Sequence, residues 1–233
     1  MATAEEAKME GEVVMVSMGS YGGKVKLLSV GEESAAEETM LLWGIQQPTF
    51  SKPNAFVSQS SLQLSLDACG QSISILQSPS SLSTPGVTGA VMWDSGIVLA
   101  KFLEHSVDSR MLLLKGKNIV ELGSGCGLGS ATVRELVWGD DPDRDLIEPH
   151  PDYVLGSDVI YSEEAVTDLV ATLLELCGSK TTIFLAGELR NDAILEYFLE
   201  VAMKNFIIGR VDQTQWHPEY CSSRVVLYIL VKK

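Results

Sequence analysis

The stretch Asn118-Ile119-Val120-Glu121-Leu122-Gly123-Ser124-Gly125-Cys126-Gly127 decides the fold. It reads as a short apolar strand running into a glycine-rich turn. Ile119, Val120 and Leu122 suit a buried parallel strand, which shows a continuous apolar run rather than alternation. Gly123, Gly125 and Gly127 permit positive φ and let a ligand approach the backbone closely. In a doubly wound α/β domain, such a turn receives a nucleotide-like cofactor.

Working outward, the next strands follow the same logic. Tyr153-Val154-Leu155-Gly156-Ser157-Asp158 is a second buried strand ending in an acid. A helix over 163–177 presents Val166, Leu169, Val170, Leu173 and Leu174 on one face. Thr181–Ala186 is a third strand, followed by Glu188 and Arg190, and 192–204 is a second amphipathic helix. Residues 206–211 and 224–231 have nothing helical between them and pair as an antiparallel hairpin. On the N-terminal side, Asp94 or Ser95 is placed to cap a helix through His105. Leu62, Leu64 and Leu66, then Ile73 and Ile75, alternate with polar residues as a β-hairpin. Residues 1–60 read as a poorly ordered acidic lead-in, with Lys24-Val25-Lys26-Leu27-Leu28 as an edge strand at most, broken by Pro48 and Pro53. The expectation is an α/β domain over 61–233 with a mostly parallel, Rossmann-like sheet and an antiparallel C-terminal hairpin.

Composition narrows the function. The 233 residues carry 45% hydrophobic content, enough for one sizeable core. A net charge of −14 argues against a nucleic-acid-binding surface. Cys69, Cys126, Cys177 and Cys221 are scattered without a C-x-x-C pair, which reads as free thiols in a reducing compartment and no metal site. No apolar run approaches the ~20 residues of a membrane span, and the N-terminus lacks a leader's apolar stretch. The expected location is the cytoplasm or the nucleus.

Four motifs in order carry a resemblance. Val91-Met92-Trp93-Asp94-Ser95-Gly96, Glu121-Leu122-Gly123-Ser124-Gly125, Leu136-Val137-Trp138-Gly139 and Gly156-Ser157-Asp158-Val159-Ile160-Tyr161 resemble the seven-β-strand methyltransferases that use S-adenosylmethionine. Among these they are similar to the methyltransferase-like protein-lysine methyltransferases, marked by a D-x-x-Y motif, here Asp158 and Tyr161. The resemblance implies a protein substrate presenting a lysine. It also implies that Trp93, Glu121, Gly123, Ser124, Gly125, Trp138 and Ser157 contact the cofactor, with Trp138 on the adenine side. Asp158 and Tyr161 would face the methyl-transfer site. A lysine of reference pKa ~10.4 must lose its proton there before it attacks. The rival reading, a dehydrogenase dinucleotide fold, fails on spacing, because G-x-G-x-x-G would need glycine at Leu128 or Ser130.

One segment is short. Only residues 128–137 separate Gly127 from Trp138, where the family places a helix, a second strand ending in a ribose-binding acid, and another helix. A parallel crossover alone takes a dozen or more residues. The expected solution turns 128–138 into a helix with Leu128, Ala131, Glu135 and Leu136 near one face. The sheet then keeps five strands and loses two at one edge. Asp140 and Asp141 are the nearest acids downstream, and geometry argues against their replacing the lost one. Two functions follow: a protein-lysine methyltransferase with impaired cofactor binding, or a non-catalytic shortened form that binds a partner.

Overall fold

A computed structural model describes residues 15–28, 34–47, 54–84, 89–125 and 132–233. The chain runs β1 (Met15–Met18), β2 (Tyr21–Leu27), α1 (Ser34–Gln46), β3 (Gln63–Ala68), β4 (Gln71–Leu76) and α2 (Asp94–Asp108). It continues through β5 (Ile119–Leu122), α3 (Arg144–Ile147), β6 (Tyr153–Ser157), α4 (Glu163–Leu176), β7 (Thr182–Glu188), α5 (Asp192–Ala202), β8 (Phe206–Val211) and β9 (Val225–Lys232).

One seven-stranded sheet has the order β1-β2-β8-β9-β7-β6-β5. Strands β5, β6 and β7 are parallel, as their apolar runs require, and the C-terminal hairpin enters antiparallel with β9 against β7. Alternation in the central strands builds a core on each face. Ile183 and Leu185 of β7, with Val226, Tyr228 and Leu230 of β9, point toward α1, α4 and α5. Phe184, Ala186, Leu227 and Ile229 point the other way, onto Val98, Leu99 and Phe102 of α2. The expected hairpin is present as β3–β4, a separate two-stranded sheet resting on Ile97.

The loose lead-in expected for residues 1–60 is corrected over 15–28 and 34–47. The β1–β2 hairpin extends the sheet, with Val25 opposite Val211 and Leu27 opposite Gly209, so that it has seven strands where five were expected, and adds two antiparallel pairings to those of the C-terminal hairpin. Gly209 is what lets it dock, since a Cβ there would collide with Val25 and Met18. Helix α1 buries Ala35, Glu38, Thr39 and Leu42 against the sheet and α5. Its carboxylate Glu38 is tied to Arg210 at 2.6 Å and accepts from the Tyr228 hydroxyl at 3.3 Å.

Among the described residues the other edge is open: strand β5 pairs with β6 alone, and Ile119 is 38% exposed. The helix expected at 128–138 is absent over its described part, because residues 132–137 have no regular structure; 126–131 lie outside the described residues. A helix there would need an apolar surface to lie on. Val133 and Val137 find none, being 82% and 57% exposed. Arg134 instead ties the segment to Asp143 at 3.3 Å and to Asp145.

Candidate active site

Two cavities flank the C-terminal ends of the parallel strands, where open α/β sheets hold their ligands. The larger, about 970 Å³, opens beside β5 and is lined by Glu121, Gly123, Ser124, Gly125, Trp138 and Leu155, among others. Gly123 and Gly125 take positive φ, +63° and +49°. At Gly125 the turn also presses on Gly89, so closely that a Cβ would sit 3.1 Å from the Gly89 Cα. Only glycine serves there, on both counts. Solvent reaches Glu121, yet enough protein surrounds its carboxyl to push its pKa above the ordinary range by desolvation. The acids facing this cleft besides Glu121 are Glu135, on the shortened segment, and Asp145 of α3. Asp140 and Asp141 do not line it, and Asp145 is already engaged by Arg134.

Asp158, just past β6, is the hub of the second cluster. It has φ +53° and its amide donates to the Ala186 carbonyl at 2.9 Å. Its Oδ1 accepts from the Glu188 amide at 2.8 Å, and its Oδ2 accepts from Ser95 Oγ at 2.6 Å and from Arg190 at 3.2 Å. The Arg190 guanidinium also reaches Glu188 Oε2 at 3.3 Å and lies 4.2 Å over the Trp93 ring. A cation is therefore held between two carboxylates and an aromatic face. Trp93 is thereby turned to Arg190, and neither it nor Ser157 lines the large cleft. Asp94 and Ser95 do not cap α2 with their side chains, which are spent on these contacts. Asp94 accepts from the amides of Ala55, Phe56 and Val57 at 2.6, 3.1 and 3.1 Å.

Tyr161 stands 49% exposed, its ring 6.1 Å from that of Trp138. The pair forms a partition, because Trp138 lines the large cleft and Tyr161 a smaller pocket under α5. Sequence reading already offered Glu188 and Arg190 as ligand-contacting candidates from their position at the C-terminal end of a strand, where β7 closes on Glu188. It took Ser95 only as a helix cap within a motif, and gave no sign of its bond to Asp158.

Glu188 is electrostatically unusual. Its Oε1 is buried without a hydrogen-bond partner. Burial raises its pKa above the ordinary 4.5; Arg190 and Arg224 pull it down, and Asp158 and Asp94 push it up. A carboxyl with a raised folded-state pKa binds more protons folded than unfolded. The stability it confers below about pH 4.5 is then lost as pH rises through the raised value. Glu188→Gln should remove that loss. Urea midpoints measured from pH 4 upward should show the native chain losing ground to the variant, and parallel curves would mean that Glu188 titrates normally.

The same order of motifs recurs in known proteins. The sequence pattern of the lysine methyltransferase family matches residues 75–130 and 128–204, more than half of the chain. This chain belongs to the lysine methyltransferase family. The two matched stretches meet at residues 128–130, where the sequence is short. The chain is similar to protein N-lysine methyltransferase METTL21A of Mus musculus, 29% identical over 160 residues, covering 52% of this chain and 70% of that protein. It is 30% identical to EEF1A lysine methyltransferase 3 of Mus musculus over 166 residues, covering 56% of this chain and 67% of the relative.

S-adenosylmethionine is the cofactor that membership in the lysine methyltransferase family implies. The residues present fit it in part. The glycine turn offers a cradle that any Cβ would fill, and Trp138 an aromatic wall. The flank beyond β5, where the family's ribose-binding acid would come from, is open among the described residues.

Proposed function

We propose that this chain is a protein-lysine methyltransferase by descent whose grip on S-adenosylmethionine is weakened by the shortened segment. The observation that carries the reading is the intact D-x-x-Y end of β6: Asp158 is fixed by three donors beside the family's glycine turn. When bound, S-adenosylmethionine supplies an electrophilic methyl group. Asp158 and the exposed Tyr161 ring draw and orient the substrate ammonium, the aromatic face adding ~0.5–2 kcal/mol, while Arg190 keeps the Trp93 face. The lysine's surplus proton passes to Glu188 Oε1, the buried oxygen without a partner, whose raised pKa makes it the better base. The neutral amine is then free to attack. Glu121, Gly123, Ser124, Gly125 and Trp138, which line the cleft, would hold the cofactor.

A second reading, a non-catalytic binding form, is favoured by the edge of β5, which pairs only with β6 among the described residues. Calorimetric titration of the purified chain with S-adenosylmethionine, followed by transfer of a labelled methyl group to lysine peptides, separates the two. Saturable binding with transfer that Asp158→Asn abolishes is expected. Binding without transfer, or no binding at all, supports the second reading.

A further inference from the structure

Strand β7 carries a glycine where its register calls for a side chain. Leu185 and Gly187 share a face, and Leu185 is buried there among the core residues packed on α5. A Cβ built on Gly187 meets no atom of the described residues within 4 Å, and its φ lies outside the left-handed region. Nothing in the backbone or the packing demands glycine at that position. Glycine inside a strand weakens it, and often marks a place where something else approaches closely.

The space left open is the smaller pocket, about 140 Å³. Its floor is Leu185, Leu195 and Val226, all buried, and its rim is Trp43 of α1 with Ile160 and Tyr161. An apolar cavity of roughly 150 Å³ accepts benzene, so this one suits a leucine-, isoleucine- or phenylalanine-sized group. It shares no lining residue with the cofactor cleft. It does share Tyr161 with the D-x-x-Y motif, and Glu188, which also lines it, touches Asp158 through its amide.

We propose that this pocket receives an apolar side chain flanking the target lysine on the protein substrate. The inference rests on the lysine methyltransferase reading. A substrate segment that points its lysine at Asp158 lays its neighbouring residues across Tyr161 and over the pocket mouth. The missing side chain of Gly187 is what leaves room for one of them. A single apolar side chain in such a pocket discriminates by one to two orders of magnitude.

The test uses the full chain with Gly187→Ala and Gly187→Leu, which fill the pocket by degrees. Toluene titrated against methyl-labelled protein should shift the Ile160, Leu195 and Val226 methyl signals, less in Gly187→Ala and not at all in Gly187→Leu. Fluorescein-labelled lysine peptides, with leucine or alanine at each flanking position in turn, are then bound and read by polarisation. Leucine at one position should tighten binding about tenfold, and Gly187→Leu should erase that preference. The graded Gly187→Ala keeps the test decisive if the leucine variant does not fold. Equal affinity for the leucine and alanine peptides overturns the proposal, as does a preference that survives in Gly187→Leu. Peptide binding needs no methyl transfer. A chain that fails to bind S-adenosylmethionine therefore sinks the methyltransferase reading alone and leaves the pocket result standing.

Discussion

A chain carrying a family-length insert after Leu128 should bind S-adenosylmethionine about 100-fold more tightly than the native chain. The insert would restore the strand beside β5, and with it an acid aimed at the ribose hydroxyls. A hydrogen bond to a charged group contributes ~1.5–3 kcal/mol, and each 1.4 kcal/mol is about a factor of ten in affinity. The native cleft has two acids facing the same region, Glu135 and Asp145. Asp145 is bound by Arg134, and Glu135 lies on a segment without regular structure, which must be ordered before it can serve. The control is the same insert with its acid replaced by alanine, which should lose most of the gain. Affinities within about twofold of each other would mean that Glu135 or Asp145 already holds the ribose end.

Asp94→Ala should be the most destabilising single substitution in the site. Asp94 is 1% exposed, and its carboxylate is the partner of three backbone amides from residues 55–57. Alanine strands all three donors. Each stranded group costs ~1–3 kcal/mol, and because such costs do not add fully, the total is about 4 kcal/mol. For a chain of this size that lowers the melting temperature by about 10 °C. Asp94→Asn keeps one acceptor oxygen but turns an amide toward a donor, so it should fall between the two. Scanning calorimetry checks both. A fall of less than about 2 °C for alanine would mean that the 55–57 amides find other acceptors. The effect belongs to stability, but it reaches the site, because Asp94 adjoins Ser95, whose hydroxyl holds Asp158.

The parallel strands and their helices were readable because their apolar residues follow one period without interruption. Val166, Leu169, Val170 and Leu173 announce α4, and Ile183, Phe184 and Leu185 announce β7. Of the N-terminal elements only a strand at Lys24–Leu28 was readable, and it lies inside the sheet between β1 and β8 where an edge was expected; the rest was hidden for two reasons. Gly22 and Gly23 blur the alternation of Tyr21 and Val25 in β2. In α1 the buried stripe runs through Glu38 and Thr39, which look solvated in sequence. Their burial is compensated by Arg210, Tyr228 and Glu196, residues far along the chain. The helix expected at 128–138 failed for a related reason. The sequence pattern supplies a face, but no neighbour remains for that face to cover. In the site, Asp158 and Tyr161 came from a motif. The cage around them did not, since Trp93, Ser95, Glu188 and Arg190 meet only once the loop before α2, α2 itself and the end of β7 are assembled.

The strand order has a consequence for how the molecule is made. In β1-β2-β8-β9-β7-β6-β5 the middle position belongs to β9, the last strand in the chain. Until residues 225–232 leave the ribosome, β5, β6 and β7 have no pairing with β8 or with the β1–β2 hairpin. The nascent protein is thus two unjoined half-sheets with exposed edges, and the pairing of Val25 with Val211 spans most of the chain. Long-range pairing of this kind is slow and leaves edges open to aggregation while it waits. The sheet therefore closes only after synthesis has passed β9, and loss of that strand alone would separate the glycine turn's half from the half that carries the N-terminal hairpin.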